Sequence, residues 1–215
     1  MANNENFIAI DTSCNHLAVV AGKAGKTYSV FKPNCAMKHS VSVMPAVEEA
    51  LQKAALRLEE CDFFSAVVGA GSFTGIRIGI SAVKGLCLAF SKPALPVTSF
   101  DVAAYNRIDS EGKLLCLVDA LHGYYYVCGY EKGEVVYPPA YISEEEVLSL
   151  AAQGYHLLST SVLPLAERTK IEVVDPAVGL EKATVALANK GGFGNLTALY
   201  IRKSSAELNA EKASK

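Results

Sequence analysis

Residues 69–79, GAGSFTGIRIG, join an apolar run at residues 65–69 to a helical pattern over residues 75–90. A strand, a glycine loop and a helix in this order can hold an anion on the backbone N–H groups of the helix start. The G-x-G-x-x-x-G spacing, with no acid after the next strand, excludes a dinucleotide fingerprint. Ala70 and Thr74 stand where a nucleophile elbow needs glycines around Ser72. The loop is therefore either a capped strand-to-helix turn or a ligand loop.

The order of predicted elements around this loop occurs twice in the chain. The first half predicts strands at 7–11, 17–21, 26–31, 65–69 and 95–98, and helices at 43–60 (capped by Ser42), 75–90 and 99–107. The second predicts strands at 113–119, 124–130, 134–137, 156–159 and 171–174, and helices from Ser143 and at 162–168 and 180–189. This order predicts an α/β fold of two ribonuclease-H-like, actin-type domains, each βββαβαβα with a mixed sheet. We expect domains at 1–108 and 109–200, and a frayed tail at 201–215.

The composition excludes several classes of protein. Of the 215 residues, 51% are hydrophobic and the net charge is −2, so no basic stripe supports nucleic-acid binding through phosphate neutralisation alone. Six cysteines lie far apart and form no zinc-like cluster, which favours a reducing compartment. The N-terminus lacks the pattern of a signal peptide, and no apolar run matches a membrane span. We expect a cytoplasmic protein with no membrane partner and no bound metal.

Two strand ends carry acids that suit a nucleotide site. Asp11, followed by Thr12 and Ser13, and Asp119 after the equivalent strand stand where actin-like ATPases place phosphate and metal contacts. Together with the loop residues Gly71, Ser72, Thr74 and Gly75, the first of these segments forms a candidate nucleotide or anion site.

Three other patterns favour structural roles. Gly25-Lys26-Thr27 lacks the leading glycine of a phosphate loop and indicates a hairpin turn. His39 has no nucleophile placed beside it by spacing, which favours a packing or capping histidine over a general base. Residues 191–194, GGFG, could serve as an adenosine loop, but they fit a helix-terminating loop better.

The helix at 75–90 has two apolar faces. One arc should pack on the sheet, while Ile78, Ala82, Gly85 and Ala89 form a second arc beside the polar strip that holds Arg77. A surface helix needs only one apolar face, so the second lies under another element or at an interface. The small residues favour close approach of a partner, and we predict an interface there.

These segments resemble the TsaB (YeaZ) family, the bacterial helper subunit for threonylcarbamoyl-adenosine formation next to the tRNA anticodon. The resemblance lies in residues 8–13, His39-Ser40, residues 71–79 and 82–86, and Val118-Asp119-Ala120. Beyond about residue 141 it thins to residues 199–203. The chain departs from the family's usual pattern at Ala70, where proline is common, and after Asp119, where Arg and an acid are usual.

The resemblance implies a non-catalytic role. Where the family's catalytic paralogue carries a metal-binding His-x-x-x-His pair, this chain has Ser99 and Ala103, neither of which ligates a metal as imidazole does. The implied partners are the catalytic TsaD-type paralogue, a TsaE-type ATPase and a second copy of the chain when alone, with tRNA reached only indirectly. No cofactor is expected to bind tightly, although weak nucleotide binding is compatible with the fold. The alternatives are an actin-like ATPase or small-molecule kinase using Asp11 and Asp119, and a metalloprotease, which the missing metal pair disfavours.

Overall fold

A computed structural model describes residues 4–202, and its strands form two five-stranded mixed sheets. The first sheet contains β1 (Phe7–Asp11), β2 (Leu17–Lys23), β3 (Lys26–Lys32), β4 (Phe63–Val67) and β5 (Ala94–Val97), in the order β3-β2-β1-β4-β5. The second contains β6 (Lys113–Asp119), β7 (Tyr124–Glu131), β8 (Glu134–Ser143), β9 (Tyr155–Ser159) and β10 (Ile171–Val173), in the order β10-β9-β6-β7-β8. The predicted tail lies outside the described residues from 203 onward.

The two sheets share one topology. In each, the first strand pairs antiparallel with the second and parallel with the fourth, as Ile10 does with Val19 and Ala66 in the first sheet. The central strands β1 and β4 are buried along their whole length, as expected for strands covered on both faces. The predicted pair of ribonuclease-H-like units is confirmed.

The helices are α1 (His39–Ala54), α2 (Phe73–Phe90), α3 (Ser99–Ala104), α4 (Glu144–Ala152) and α5 (Pro176–Asn189). The hydroxyl of Ser143 caps α4 and its backbone N–H donates to Glu146 Oε2 at 2.8 Å, which confirms the predicted capping box. Residues 191–194 follow the end of α5, and Gly192 N donates to Leu187 O at 2.9 Å. The helix-terminating role predicted for them is confirmed.

Two helix predictions were wrong, and two others missed a boundary: α5 begins at Pro176 rather than residue 180, and α3 ends at Ala104 rather than residue 107. The first helix begins at His39 rather than residue 43, so Ser42 lies inside it and is not the cap. It ends at Ala54 because Ala55 adopts a left-handed conformation, and Leu58–Glu60 form a separate 3-10 turn. The helix predicted at 162–168 is a 3-10 turn, Pro164–Glu167, because too few residues separate β9 from β10 for a full crossover helix.

The two halves of the chain exchange helices. Phe100 and Ala103 of α3 pack against Leu114 and Cys116 of the second sheet. Leu180 of α5 packs in the opposite direction, in the cluster built on the first sheet. The division at residues 108 and 109 separates the two sheets along the chain, but as a domain boundary it stays a prediction because each sheet is covered by a helix from the other half.

Helix α2 is long and apolar enough, by length and composition, to pass as a membrane span. Its buried residues Ile76, Ile80, Val83 and Leu86 pack in the core cluster of the first sheet. About a third of the helix is buried, so the expectation that no apolar run matches a membrane span is not met by its length and composition.

Candidate functional site

The end of β1 carries a buried polar cluster. Asp11, Thr12 and Ser13 are at most 1% exposed. Asp11 Oδ1 accepts from the backbone N–H and the hydroxyl of Ser13 at 2.8 and 2.7 Å, and its Oδ2 lies 3.1 Å from His16 Nε2. Burial raises the pKa of the Asp11 carboxyl, but His16 and the Ser13 hydrogen bonds outweigh burial and hold that pKa below 3.8. Every oxygen of this carboxylate is thus bound by the protein.

His39 anchors the start of α1 to this cluster. Its Nε2 lies 2.9 Å from the backbone oxygen of His16, and the ring is 1% exposed. This contact gives the histidine a packing role that links α1 to the segment after β1.

The glycine loop packs directly on the segment after β1. Ser72 N donates to Ser13 O at 2.7 Å, and Thr12 Oγ1 donates to Gly75 O at 2.7 Å. A Cβ on Gly71 would overlap the carbonyl oxygen of Ser13, and one on Gly75 would overlap that of Thr12. The glycines therefore allow two backbone segments to touch.

Ser72 takes the role of helix cap. Its hydroxyl accepts from Gly75 N at 3.2 Å, which satisfies one of the free N–H groups at the start of α2. The structure thus brings together six of the predicted ligand-loop residues, and their polar groups bind one another. Thr74 and Ser72 are both exposed, but Ser72 is hydrogen-bonded to Gly75, whereas the side chain of Thr74 forms no hydrogen bond with the other six residues.

The two positions of the missing metal pair are buried in α3. Ser99 Oγ donates to Ala70 O at 2.5 Å and lies 3.0 Å from Ser13 Oγ, while Ala103 belongs to the core cluster on the second sheet. No group of three or more His, Cys, Asp or Glu side chains within residues 4–202 is arranged to hold a metal ion.

A segment near the end of the chain crosses the junction of the two sheets. We call residues 196–202 the strap. Leu199 N donates to Val68 O at 2.7 Å, and Leu199 and Ile201 pack on the second-sheet core. The space left between the strap and the glycine loop is a cavity of about 10 Å³, lined by Gly71, Phe73 and Tyr126 among others. That volume holds about one water molecule.

The second acid, Asp119, is exposed and stabilises its own turn, with Oδ1 accepting from Leu121 N at 2.8 Å. Cys14 lies between the two acid-bearing strand ends. Burial, followed by the charge of Asp11, raises the pKa of its thiol to about 12, so the thiolate form is disfavoured.

The predicted interface on α2 divides into covered and open residues. Ile78 and Ala82 are half-buried against the core cluster that includes α1. Gly85 and Ala89 are exposed, and a Cβ on Gly85 would have no atom within 4 Å. Arg77 is exposed and its Nε donates to Tyr200 OH at 2.8 Å.

Sequence reasoning missed the contribution of α1 to this surface. Val41 is 71% exposed and Met44 46%, and a groove of about 380 Å³ runs along Met44, Pro45, Glu48, Leu51 and Leu58. We call the surface formed by Val41, Met44, Ile78, Ala82, Gly85 and Ala89 the α1–α2 face. Val41 and Met44, three residues apart on the outer side of α1, were the pattern in the sequence that could have predicted this contribution.

Comparisons with known proteins give consistent results. Residues 19–203 match the family described as "TsaD: tRNA N6-adenosine threonylcarbamoyltransferase". The chain is 30% identical over 122 residues to the tRNA threonylcarbamoyladenosine biosynthesis protein TsaB of Buchnera aphidicola subsp. Schizaphis graminum, covering 56% of this chain and 58% of that protein. It is 29% identical over 130 residues to TsaB of Escherichia coli K12, covering 60% and 56%. The chain thus spans a little over half the length of these curated relatives.

Structural comparison supports the fold. A Pseudomonas aeruginosa protein described as similar to the peptidase YeaZ superposes with a TM-score of 0.79 at 24% identity, covering 92% of this chain and all of that one.

Proposed function

The chain belongs to the TsaB/YeaZ family, and we propose that it is a non-catalytic partner subunit of the machinery that forms threonylcarbamoyladenosine in tRNA. The relatives' names give the pathway, and the fold supports a role that does not include the transfer step itself. The observation that carries the proposal is that the residues suited to hold a ligand hold one another instead.

The packing at the end of β1 supports the absence of a catalytic step. A phosphate at the start of α2 would compete with Ser72 for the backbone N–H of Gly75, and the backbone of Thr12 and Ser13 already lies against Gly75 and Gly71. Ser99 and Ala103 are buried in α3 and supply no imidazole for a metal. The strap lies across the junction of the two sheets and leaves a cavity of only about 10 Å³ beside the glycine loop.

The exchange of helices between the two sheets also supports a role without a catalytic step. Actin-like ATPases close two domains around a nucleotide, which needs a hinge. Here Tyr130 OH of the second sheet donates to Asp101 Oδ1 of α3 at 3.0 Å, and Asn106 Nδ2 of the α3 end donates to Asp175 O before α5. These contacts and the shared cores disfavour an opening of the junction, so an actin-like ATPase or kinase is the weaker alternative.

The α1–α2 face is the proposed docking surface for the catalytic TsaD-type paralogue. Val41 and Met44 on α1 are exposed apolar side chains, and Gly85 and Ala89 on α2 are small and open, which lets a partner helix approach closely. A partner of the same family offers an equivalent helix, and such a pair packs with near-twofold symmetry. The same face would serve for a homodimer when the chain is alone. A TsaE-type ATPase would then join the assembled pair.

The decisive experiment compares two added charges. Gly85→Glu places a carboxylate in the open position of the α1–α2 face, and Val162→Glu places one at an apolar site that is 79% exposed on the other half of the molecule. Each purified variant is mixed with the catalytic paralogue from the same organism, and complex formation is measured by light scattering after size exclusion. We expect Gly85→Glu to weaken association at least about tenfold and Val162→Glu to leave it unchanged.

Two outcomes contradict the proposal. Equal association of both variants would place the interface elsewhere. Steady hydrolysis of ATP by the chain alone, lost in the exposed variant Asp119→Asn, would make the chain an ATPase rather than a helper.

A further inference from the structure

The arginines differ in the partners of their guanidinium groups. Three form ion pairs with glutamates: Arg57 with Glu60, Arg107 with Glu172, and Arg168 with Glu144 and Glu145. Within residues 4–202, Arg77 and Arg202 form no ion pair with a carboxylate and instead contact tyrosines. These two positive charges are therefore not neutralised by an acidic partner in the part of the chain that the structure describes.

Arg77 lies beside a pair of stacked rings. Phe73 and Tyr200 stack with centroids 4.6 Å apart at 16°. The guanidinium carbon of Arg77 is 5.9 Å from the Phe73 centroid and 5.6 Å from that of Tyr200, within cation–π distance. Tyr200 keeps 41% of its surface exposed.

Arg202 repeats the arrangement on the second sheet. Its guanidinium carbon is 5.2 Å from the Tyr141 centroid, and its Nη1 donates to Tyr141 OH at 3.2 Å. Tyr141 stacks on Tyr124 at 4.7 Å and 6°. Tyr124, the outer ring, is 40% exposed.

The strap joins the two clusters. Leu199 and Ile201 pack inward on the second-sheet core, so the alternate residues Tyr200 and Arg202 face outward. Tyr200 completes the first cluster and Arg202 the second. The result is one surface of alternating rings and guanidinium groups, which we call the ring–arginine row: Phe73, Arg77, Tyr124, Tyr141, Tyr200 and Arg202.

We infer that the ring–arginine row binds unpaired nucleotides of RNA. Exposed aromatic faces stack on bases of any sequence, and cationic groups beside them contact the phosphates, which is how proteins hold single-stranded nucleic acid. Two uncompensated arginines in a chain of net charge −2 fit a short unpaired stretch, whereas a duplex is bound through many phosphates. The cavity of about 10 Å³ beneath the strap is too small to enclose a free nucleotide.

This inference rests on the proposed function, which brings RNA to the assembled complex. The expectation that tRNA is reached only indirectly is replaced by a direct contact, made by a surface that is aromatic and cationic where the α1–α2 face is apolar. The helper would then position RNA while its partner performs the transfer.

The test uses a fluorescent 12-nucleotide single-stranded RNA of mixed sequence and the full chain, with binding followed by anisotropy. We expect saturable binding that Tyr124→Ser and Arg202→Gln each weaken about fivefold or more. Arg202→Gln should also reduce the slope of log affinity against log salt by about 0.7. Arg168→Gln is the matched control, because Arg168 is equally cationic but paired with glutamates, and it should leave binding unchanged.

Both test residues are exposed, and thermal unfolding checks that the variants keep the fold. Absence of saturable binding, equal affinity for the matched RNA duplex, or insensitivity to both substitutions overturns the inference. If ATP displaces the RNA with an affinity equal to that of the RNA itself, the row is a mononucleotide site, and this result also overturns the inference. Loss of binding to the catalytic paralogue in Arg202→Gln, with no effect on RNA, would make the row a protein contact. Association with that paralogue is measured in parallel, so failure of the proposed function is seen separately.

Discussion

The two flanks of the glycine loop meet very different surroundings. On the β1 side, the polar groups of Asp11, Thr12 and Ser13 are buried and bound by protein groups. On the outer side of α2, Gly85 faces open space and Ala89 is exposed. Glycines serve both regions, but for opposite reasons: on the inside they let backbone touch backbone, and on the outside they leave room for a partner. The contrast separates a folding device from a docking surface.

The largest change in the free energy of unfolding is expected where the glycine loop contacts the segment after β1. Gly71→Ala forces a Cβ into the carbonyl oxygen of Ser13 at a residue whose φ is +145°. Strain and overlap together should lower the free energy of unfolding by more than about 3 kcal/mol. Urea denaturation measures the change.

Gly154→Ala is the control, because its φ is +91° but its Cβ would meet nothing within 4 Å. It carries the backbone strain without the overlap and should cost about 1 kcal/mol. Equal losses in the two variants would show that the loop does not rest on the segment after β1.

The next effect concerns the buried carboxylate. Asp11→Asn removes the charge that His16 and Ser13 bind, and should destabilise the fold by about 2–3 kcal/mol at neutral pH. Because the pKa of Asp11 is lowered in the folded state, its contribution is fully present above 3.8 and is lost as the pH falls through the lower folded value.

Urea denaturation as a function of pH follows this contribution. The difference between the wild type and Asp11→Asn should therefore shrink below pH 3.8. A difference that stays constant down to the acid unfolding transition would show that the carboxylate is not held in its charged form.

The elements around the glycine loop on the β1 side were largely predictable from local sequence. An apolar run places β1, and it places β4 and the start of α2 within two residues: β4 is Phe63–Val67 rather than 65–69, and α2 begins at Phe73 rather than residue 75. The start of α1 was not predictable, since His39 is fixed by a contact to His16, which is 23 positions earlier.

The position of the strap across the junction of the two sheets was also not predictable from the sequence pattern. Residues 196–202 have no regular element, and their position depends on Leu199 bonding to Val68, far away in the chain. The α1–α2 face was predicted in part: the helical wheel of α2 shows a second apolar arc, but not that Ile78 and Ala82 are already half-buried against the core cluster. The position of the strap and the partial burial of the α1–α2 face both depend on packing between residues far apart in the chain, which short-range periodicity does not predict.

A third, smaller effect tests whether the junction is closed. Tyr130→Phe removes the hydrogen bond to Asp101 between the second sheet and α3, and should lower the free energy of unfolding by about 1–2 kcal/mol. Burial, followed by the Asp101 charge, raises the pKa of Tyr130, so the phenol stays a donor at all ordinary pH values. Hydrogen exchange of β7 and α3 amides should quicken together in this variant. Exchange that changes in β7 alone would indicate that the two halves open independently.

The smallest effect has the opposite sign and lies on the open side. Gly85→Ala should raise the free energy of unfolding by about 0.5–1 kcal/mol, because alanine is the better helix former and its Cβ meets no neighbour. Urea denaturation at low protein concentration measures this gain in the monomer. The methyl group should at the same time weaken association with the catalytic paralogue, though less than the Gly85→Glu carboxylate does, because helices can no longer approach as closely at that point. A variant that is less stable than the wild type would show that something already covers Gly85 in the folded chain, and the two flanks of the loop would then be alike.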